Sequence, residues 1–61
     1  MELNTEKIKR ELERLDKTKT WLADEMGVHP SWITYIFKEK PITQAERIGK
    51  VLGIEPRDLI K

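Results

Sequence analysis

His29 is the only imidazole in a chain of 61 residues, and no cysteine accompanies it. Without partner ligands at a usable spacing, a lone histidine cannot assemble a metal site or an acid–base pair. A turn position at the N-cap of a helix explains it sufficiently. No glycine-rich phosphate loop is present. A chain this short cannot easily wall off a water-excluding pocket. The reading is therefore not an enzyme, with no cofactor and no metal. What remains is recognition chemistry. The hydroxyls of Ser31, Thr34 and Tyr35 offer hydrogen bonds, and Lys19, Lys38 and Lys40 offer positive charge.

A thin core has to position those groups. Apolar and charged residues each make up 38% of the chain, and the net charge is +1. A domain of this size buries only about 60% of the surface its unfolded chain exposes. With no disulfide to staple it, stability must come from tight helix packing, helped by self-association. Residues 1–61 have room for one domain and no second core. No run approaches the roughly 18 apolar residues of a membrane span, and no secretory signal is recognisable. The expected location is the cytoplasm, in association with the nucleoid.

The punctuation predicts five helices. Asn4 is a suitable N-cap for a first helix reaching about Leu15, with Leu3 stapled on Ile8. Ile8, Leu12 and Leu15 form its apolar stripe, and Glu6/Arg10 and Lys7/Glu11 could pair across its outer face. Thr18 caps a second helix, Lys19 to Met26, whose Leu22, Ala23 and Met26 point inward. Gly27 ends it in a left-handed turn. Pro30 belongs at the first position of a third helix running to about Lys38, with Ile33, Ile36 and Phe37 inward. Thr43-Gln44-Ala45-Glu46 reads as a capping box for a fourth helix carrying Ala45, Ile48 and Leu52 and stopped by Gly53. Pro56 starts a short fifth helix with Leu59 and Ile60.

Two short helices around the turn at Gly27 carry the argument. A small residue at Ala23 permits a close crossing, and Ile33 and Ile36 pin the third helix on the second. That is the spacing of a helix-turn-helix, about residues 18–38. The crossing leaves the leading end and one flank of the third helix projecting, in a position to enter a major groove.

Residues 18–38, Thr-Lys-Thr-Trp-Leu-Ala-Asp-Glu-Met-Gly-Val-His-Pro-Ser-Trp-Ile-Thr-Tyr-Ile-Phe-Lys, resemble the helix-turn-helix of the phage repressor and Cro family. The stretch Ile48-Gly49-Lys50-Val51-Leu52-Gly53-Ile54, then Asp58-Leu59-Ile60, resembles that family's fourth helix and the start of its fifth. The resemblance spans nearly the whole chain. It implies a compact, all-α, five-helix repressor-like domain that binds double-stranded DNA, usually as a homodimer on a palindromic operator. Three departures stand out. Lys19 replaces a common glutamine and keeps its phosphate role as a point charge. Leu12 and Phe37 occupy positions where the family often pairs Arg with Glu, which predicts an apolar contact there. Glu39 stands where a glycine commonly follows the third helix, so the helix either ends without a left-handed cap or runs on.

The outward set on the third helix is His29, Pro30, Ser31, Thr34, Tyr35 and Lys38. Ser31 and Thr34 can hydrogen-bond base edges, and the Thr34 methyl and Tyr35 ring can meet a thymine methyl. Pro30 offers apolar contact alone. Without Arg, Asn or Gln among these base readers, specificity leans on DNA shape and phosphate contacts. The phosphate set is Thr18 and Lys19 at a helix N-terminus, His29, and Lys38 with Lys40; Arg10 and Arg14 are weaker candidates. For each cation the plain alternative is a solvated side chain. Residues 1–29 carry net −1 and residues 30–61 net +2, a gentle asymmetry. Trp21 is expected to cover the core edge or touch another chain. Trp32 is expected to lay its ring half-buried over the second helix.

The leading expectation is a Cro-like or repressor-like transcriptional regulator. A weak homodimer would meet through Val51, Arg57, Leu59 and Ile60, placing two copies of the third helix roughly 34 Å apart. The alternative is a protein-interaction module of the same fold, an antitoxin or adaptor, favoured by the near-zero charge and two tryptophans. A positive face around Lys19, Ser31, Tyr35 and Lys38 supports the first. An apolar face centred on Trp21 or Trp32 supports the second.

Overall fold

A computed structural model describes residues 1–61. The chain is all-α, with four helices: α1 Thr5–Arg14, α2 Lys19–Met26, α3 Pro30–Glu39 and α4 Ala45–Leu52. Single 3₁₀ turns cover Ile42–Gln44 and Pro56–Leu59. The expected fifth helix is thus only the second of these turns. Pro56 starts it as anticipated, but Ile60 returns to extended backbone (φ −113°, ψ 135°).

Local signals account for most helix ends. Asn4 accepts from the Lys7 amide at 3.2 Å, and Thr18 Oγ1 accepts from the Trp21 amide at 3.1 Å. Each satisfies one of the orphan donors of a first turn. Gly27 is left-handed at φ 71°. The Val28 and Gly27 amides donate to the Ala23 and Asp24 carbonyls, the paired bonds of a Schellman ending. Gly53 ends α4 in the same left-handed conformation. Two other endings lack glycine. Asp16 (φ 57°) closes α1, with Asp16 and Lys17 donating to Glu13 and Leu12. Lys40 (φ 53°) closes α3, with its amide on the Ile36 carbonyl at 2.9 Å. Helix α3 therefore runs on through Glu39 and takes its left-handed cap one residue later.

The Thr43 capping box does not form. Gln44 occupies the N-cap position and no side chain caps α4. The reason is the preceding 3₁₀ turn: Gln44 and Ala45 donate to the carbonyls of Pro41 and Ile42, so the turn feeds straight into the helix. Two charge pairings on α1 also give way. Glu11 pairs with Arg14, at 2.8 Å from Nη2 and 3.2 Å from Nε, in the chain's only ion pair. A guanidinium fork fits a carboxylate better than a single ammonium does.

Twelve apolar side chains form one core, drawn from every helix and both termini. Ile8 and Leu12 come from α1, Leu22, Ala23 and Met26 from α2, Ile33 and Ile36 from α3, and Ala45, Ile48 and Leu52 from α4; Leu3 and Leu59 close it. Each fully buried Leu or Ile contributes about 1.5–3 kcal/mol of transfer free energy. Leu15 is not among them; it lies past the end of α1 and is exposed. Phe37 is half-buried against the core, to which Leu12 belongs.

Helix α2 packs on α3 and α4, and α4 packs on the C-terminal turn. Gly49 allows that last approach, because a Cβ there would collide with the Ile54 carbonyl oxygen. The termini pair antiparallel: Glu2 and Lys61 exchange both backbone bonds, and Asn4 donates to Leu59 at 2.7 Å. The Leu3 amide reaches across to the Lys40 carbonyl at 3.0 Å. Arg47 of α4 donates to the Met26 carbonyl at 3.3 Å, satisfying an acceptor at the C-terminal end of α2. No helix is long and apolar enough to cross a membrane.

Candidate nucleic-acid interface

Helix α3 buries Ile33 and Ile36 and leaves Pro30, Ser31, Trp32, Thr34, Tyr35 and Lys38 exposed. The period of about 3.6 residues per turn puts these two sets on different sides of one rod. All four expected base readers, Pro30, Ser31, Thr34 and Tyr35, thus lie on open surface.

At its leading end His29 is the N-cap. Its Nδ1 accepts from the Ser31 amide at 3.1 Å and lies 2.9 Å from the Ser31 hydroxyl. Accepting an N–H requires a free lone pair on Nδ1, so the ring proton sits on Nε2. The Ser31 hydroxyl can share that lone pair or turn its proton outward, and in either case its oxygen keeps acceptor capacity for an outside partner. A base-edge amino group, on adenine or cytosine, suits such an oxygen. His29 itself has only Nε2 left to offer outward.

The phosphate candidates divide. Thr18, Lys19 and Lys38 are exposed, and Lys40 is half-buried. The Lys19 ammonium lies 4.6 Å from the centre of the Phe37 ring, and that of Lys9 lies 5.8 Å from it. Lys17 sits 5.5 Å over Trp21, which packs against the core edge. Lys9, Lys17 and Lys19 together line a cleft of about 220 Å³ with Leu12 and Glu13. Three lysines and one glutamate therefore line it. No acidic residue lies in the first turn of α2, so no side chain of that turn offsets the positive end of its dipole. Sequence reading missed Lys9 and Lys17. Lys17 lies four residues before Trp21, one helical turn away, so that contact is local; Lys9 of α1 meets the Phe37 ring of α3 only through tertiary packing.

Trp32 stacks its ring on Tyr35, with centroids 4.7 Å apart and planes at 20°. The two residues are 39% and 45% exposed, an open aromatic pair on the same helix as Ser31 and Thr34.

The expected dimer set also divides. Leu59 is fully buried in the core, so its side chain cannot meet a second copy. Ile60 packs half-buried beside the Leu3 bridge, Val51 is half-buried, and Arg57 is exposed. Elsewhere, a shallow cleft of about 430 Å³ lies between α4 and the C-terminal turn, lined by Glu46, Lys50 and Glu55 among others. No three His, Cys, Asp or Glu side chains gather at metal-binding range.

Compared with family models, curated proteins and solved structures, the chain finds no match in any of the three.

Proposed function

We propose that the chain is a helix-turn-helix domain that binds double-stranded DNA in a sequence-dependent manner, as a Cro-like or repressor-like regulator. In this reading α3 enters the major groove by its leading end. The observation that carries it is the open row Pro30, Ser31, Thr34 and Tyr35 on a helix whose opposite side is locked into the core by Ile33 and Ile36. Ser31 and Tyr35 hydrogen-bond base edges, and Thr34 and Tyr35 supply apolar contact to thymine methyls. Thr18, Lys19 and the lysine cleft bind phosphate on one flank, and Lys38 and Lys40 bind it on the other. His29 adds Nε2–H as a donor to the backbone.

The domain measures 25 × 22 × 17 Å, small enough for two copies to sit side by side with their α3 helices roughly 34 Å apart, one turn of the duplex. Val51, Arg57 and Ile60 are the surface we assign to a weak homodimer on a palindromic operator.

Selection of binding sites from random duplex DNA tests the proposal, with Lys19→Ala and Tyr35→Ala alongside. Lys19→Ala should weaken all sequences alike and lower the salt slope by about 0.9. Tyr35→Ala should relax one position, with a loss of about 1–3 kcal/mol of discrimination there. A wild-type chain that enriches no motif rejects the reading.

The second reading is a protein-interaction module, an antitoxin or adaptor. The exposed Trp32–Tyr35 pair favours it, since aromatic residues are enriched where proteins meet. It is preferred if that pair becomes protected by a protein partner while duplex DNA leaves it unchanged.

A further inference from the structure

We propose that Trp32 is a positioning residue for Tyr35, fixing the orientation in which the Tyr35 ring and hydroxyl meet a base. The inference rests on the DNA-binding reading. Trp32 and Tyr35 are three residues apart on α3, so their side chains rise from the same side of the helix. Their rings lie nearly parallel at 4.7 Å, the offset-stacked range of an aromatic pair. Neither ring belongs to the apolar core, and both remain substantially open. The side chain stacked on the Tyr35 ring is its neighbour on the helix, and that stack sets the ring's orientation.

The consequence for recognition is specific. One face of the Tyr35 ring is covered by Trp32, which leaves the other face, the edge and the hydroxyl for DNA. A ring covered on one face cannot be sandwiched between two bases. It can lay its open face on a thymine methyl while the hydroxyl reaches a base edge or phosphate. An unsupported tyrosine on an exposed helix would lose rotamer freedom on binding, and a side chain already held in one orientation loses less. The stack should accordingly contribute discrimination at the position Tyr35 reads and leave general affinity alone. An aromatic pair corresponds to an equilibrium factor of about 2- to 12-fold.

The experiment is a double-mutant cycle on the preferred duplex and on the same duplex altered at the position Tyr35 reads. The variants are Trp32→Ala, Trp32→Phe, Tyr35→Ala and Trp32→Ala with Tyr35→Ala. Trp32→Ala should reduce discrimination there by about 2- to 12-fold. Affinity for random duplex and the salt slope should stay at wild-type values, and Trp32→Phe should restore most of the loss. In the Tyr35→Ala background Trp32→Ala should add nothing. In the free protein, the ring-proton shifts of Tyr35 should carry the ring current of Trp32 and lose it in Trp32→Ala.

A uniform loss on all duplexes overturns the inference, because Trp32 would then touch DNA on its own account. Equal losses with and without Tyr35 overturn it as well, as does absence of the ring-current shift. Tighter binding of single-stranded oligo(dT) than of duplex, lost in both single variants, would make the pair a stacking platform and also overturn it. In the first three cases a wild-type chain that still enriches a duplex motif leaves the DNA-binding reading standing. If wild type enriches none, that reading has failed and takes the inference with it.

Discussion

Replacing Lys40 with glycine should make the protein more stable and a weaker DNA binder at the same time. Lys40 is held left-handed at φ 53° and ψ 51°, where it caps α3 and presents its carbonyl to the Leu3 amide. An L residue with a Cβ costs about 1–2 kcal/mol in that conformation. Glycine removes this cost but gives back about 0.4–1 kcal/mol through its freer unfolded chain. The difference is a gain of about 0–1.6 kcal/mol, centred near 0.8, from which the packing of the half-buried lysine stem is subtracted. For a domain near this length, each kcal/mol moves Tm by roughly 4–8 °C. Total stability for 61 residues is on the order of 3–9 kcal/mol, so the shift is readily measured by thermal and urea unfolding. Both backbone bonds survive the substitution, because they involve main-chain atoms alone. Loss of the ammonium should lower the salt slope of duplex binding by about 0.9. The mirror experiment is Gly27→Ala. A Cβ at Gly27 meets nothing within 4 Å, so φ 71° alone sets the penalty. That variant should lose about 1 kcal/mol. A Lys40→Gly protein that melts below wild type, or a Gly27→Ala protein that melts with it, refutes this account of the helix ends.

Three further expectations follow from the packing and the charge pairs. Gly49→Ala drives a methyl into the Ile54 carbonyl, a backbone atom that cannot swing away, so it should lose about 1–3 kcal/mol in urea unfolding. Arg47→Ala removes the donor to the Met26 carbonyl and should lose about 0.5–1 kcal/mol, while Arg47→Lys recovers part of it. The hydrogen bond and charge of Arg14 hold the Glu11 carboxyl below its ordinary value of 4.5. A depressed folded pKa stabilises above the ordinary value, and that contribution is lost as pH falls through the lowered one. Glu11→Gln should therefore flatten the acid side of the stability profile slightly, with unchanged stability ranking at high salt refuting the ionic origin.

The positive-φ ends show where sequence reasoning stops. Gly27 and Gly53 were legible because glycine favours the left-handed region. Asp16 and Lys40 were not, since neither residue type signals it strongly. At Lys40 the bond from Leu3, far away in the chain, helps hold the cap. Thr43 failed in the opposite direction: its motif is a good local signal, but Thr43 lies inside the 3₁₀ turn Ile42–Gln44, which moves the N-cap position on to Gln44. In the candidate site, the exposure of Ser31, Thr34 and Tyr35 followed from periodicity. The Trp32–Tyr35 stack lay within reach of the same reasoning, as a pair three residues apart.

By itself the sequence determined four of the five helices it announced, the caps at Asn4, Thr18 and His29, the start at Pro30 and the inward faces apart from Leu15. Each of these depends on bonds or periodicity within a few residues, so the information is local. Tertiary structure alone decided the pairing of the two termini, the burial of Leu59, the hold of Arg47 on α2 and the meeting of Lys9 and Lys19 over Phe37. Those contacts join residues that become neighbours only after the helices pack. The free energy that selects them is that of the whole core, and no single segment carries it.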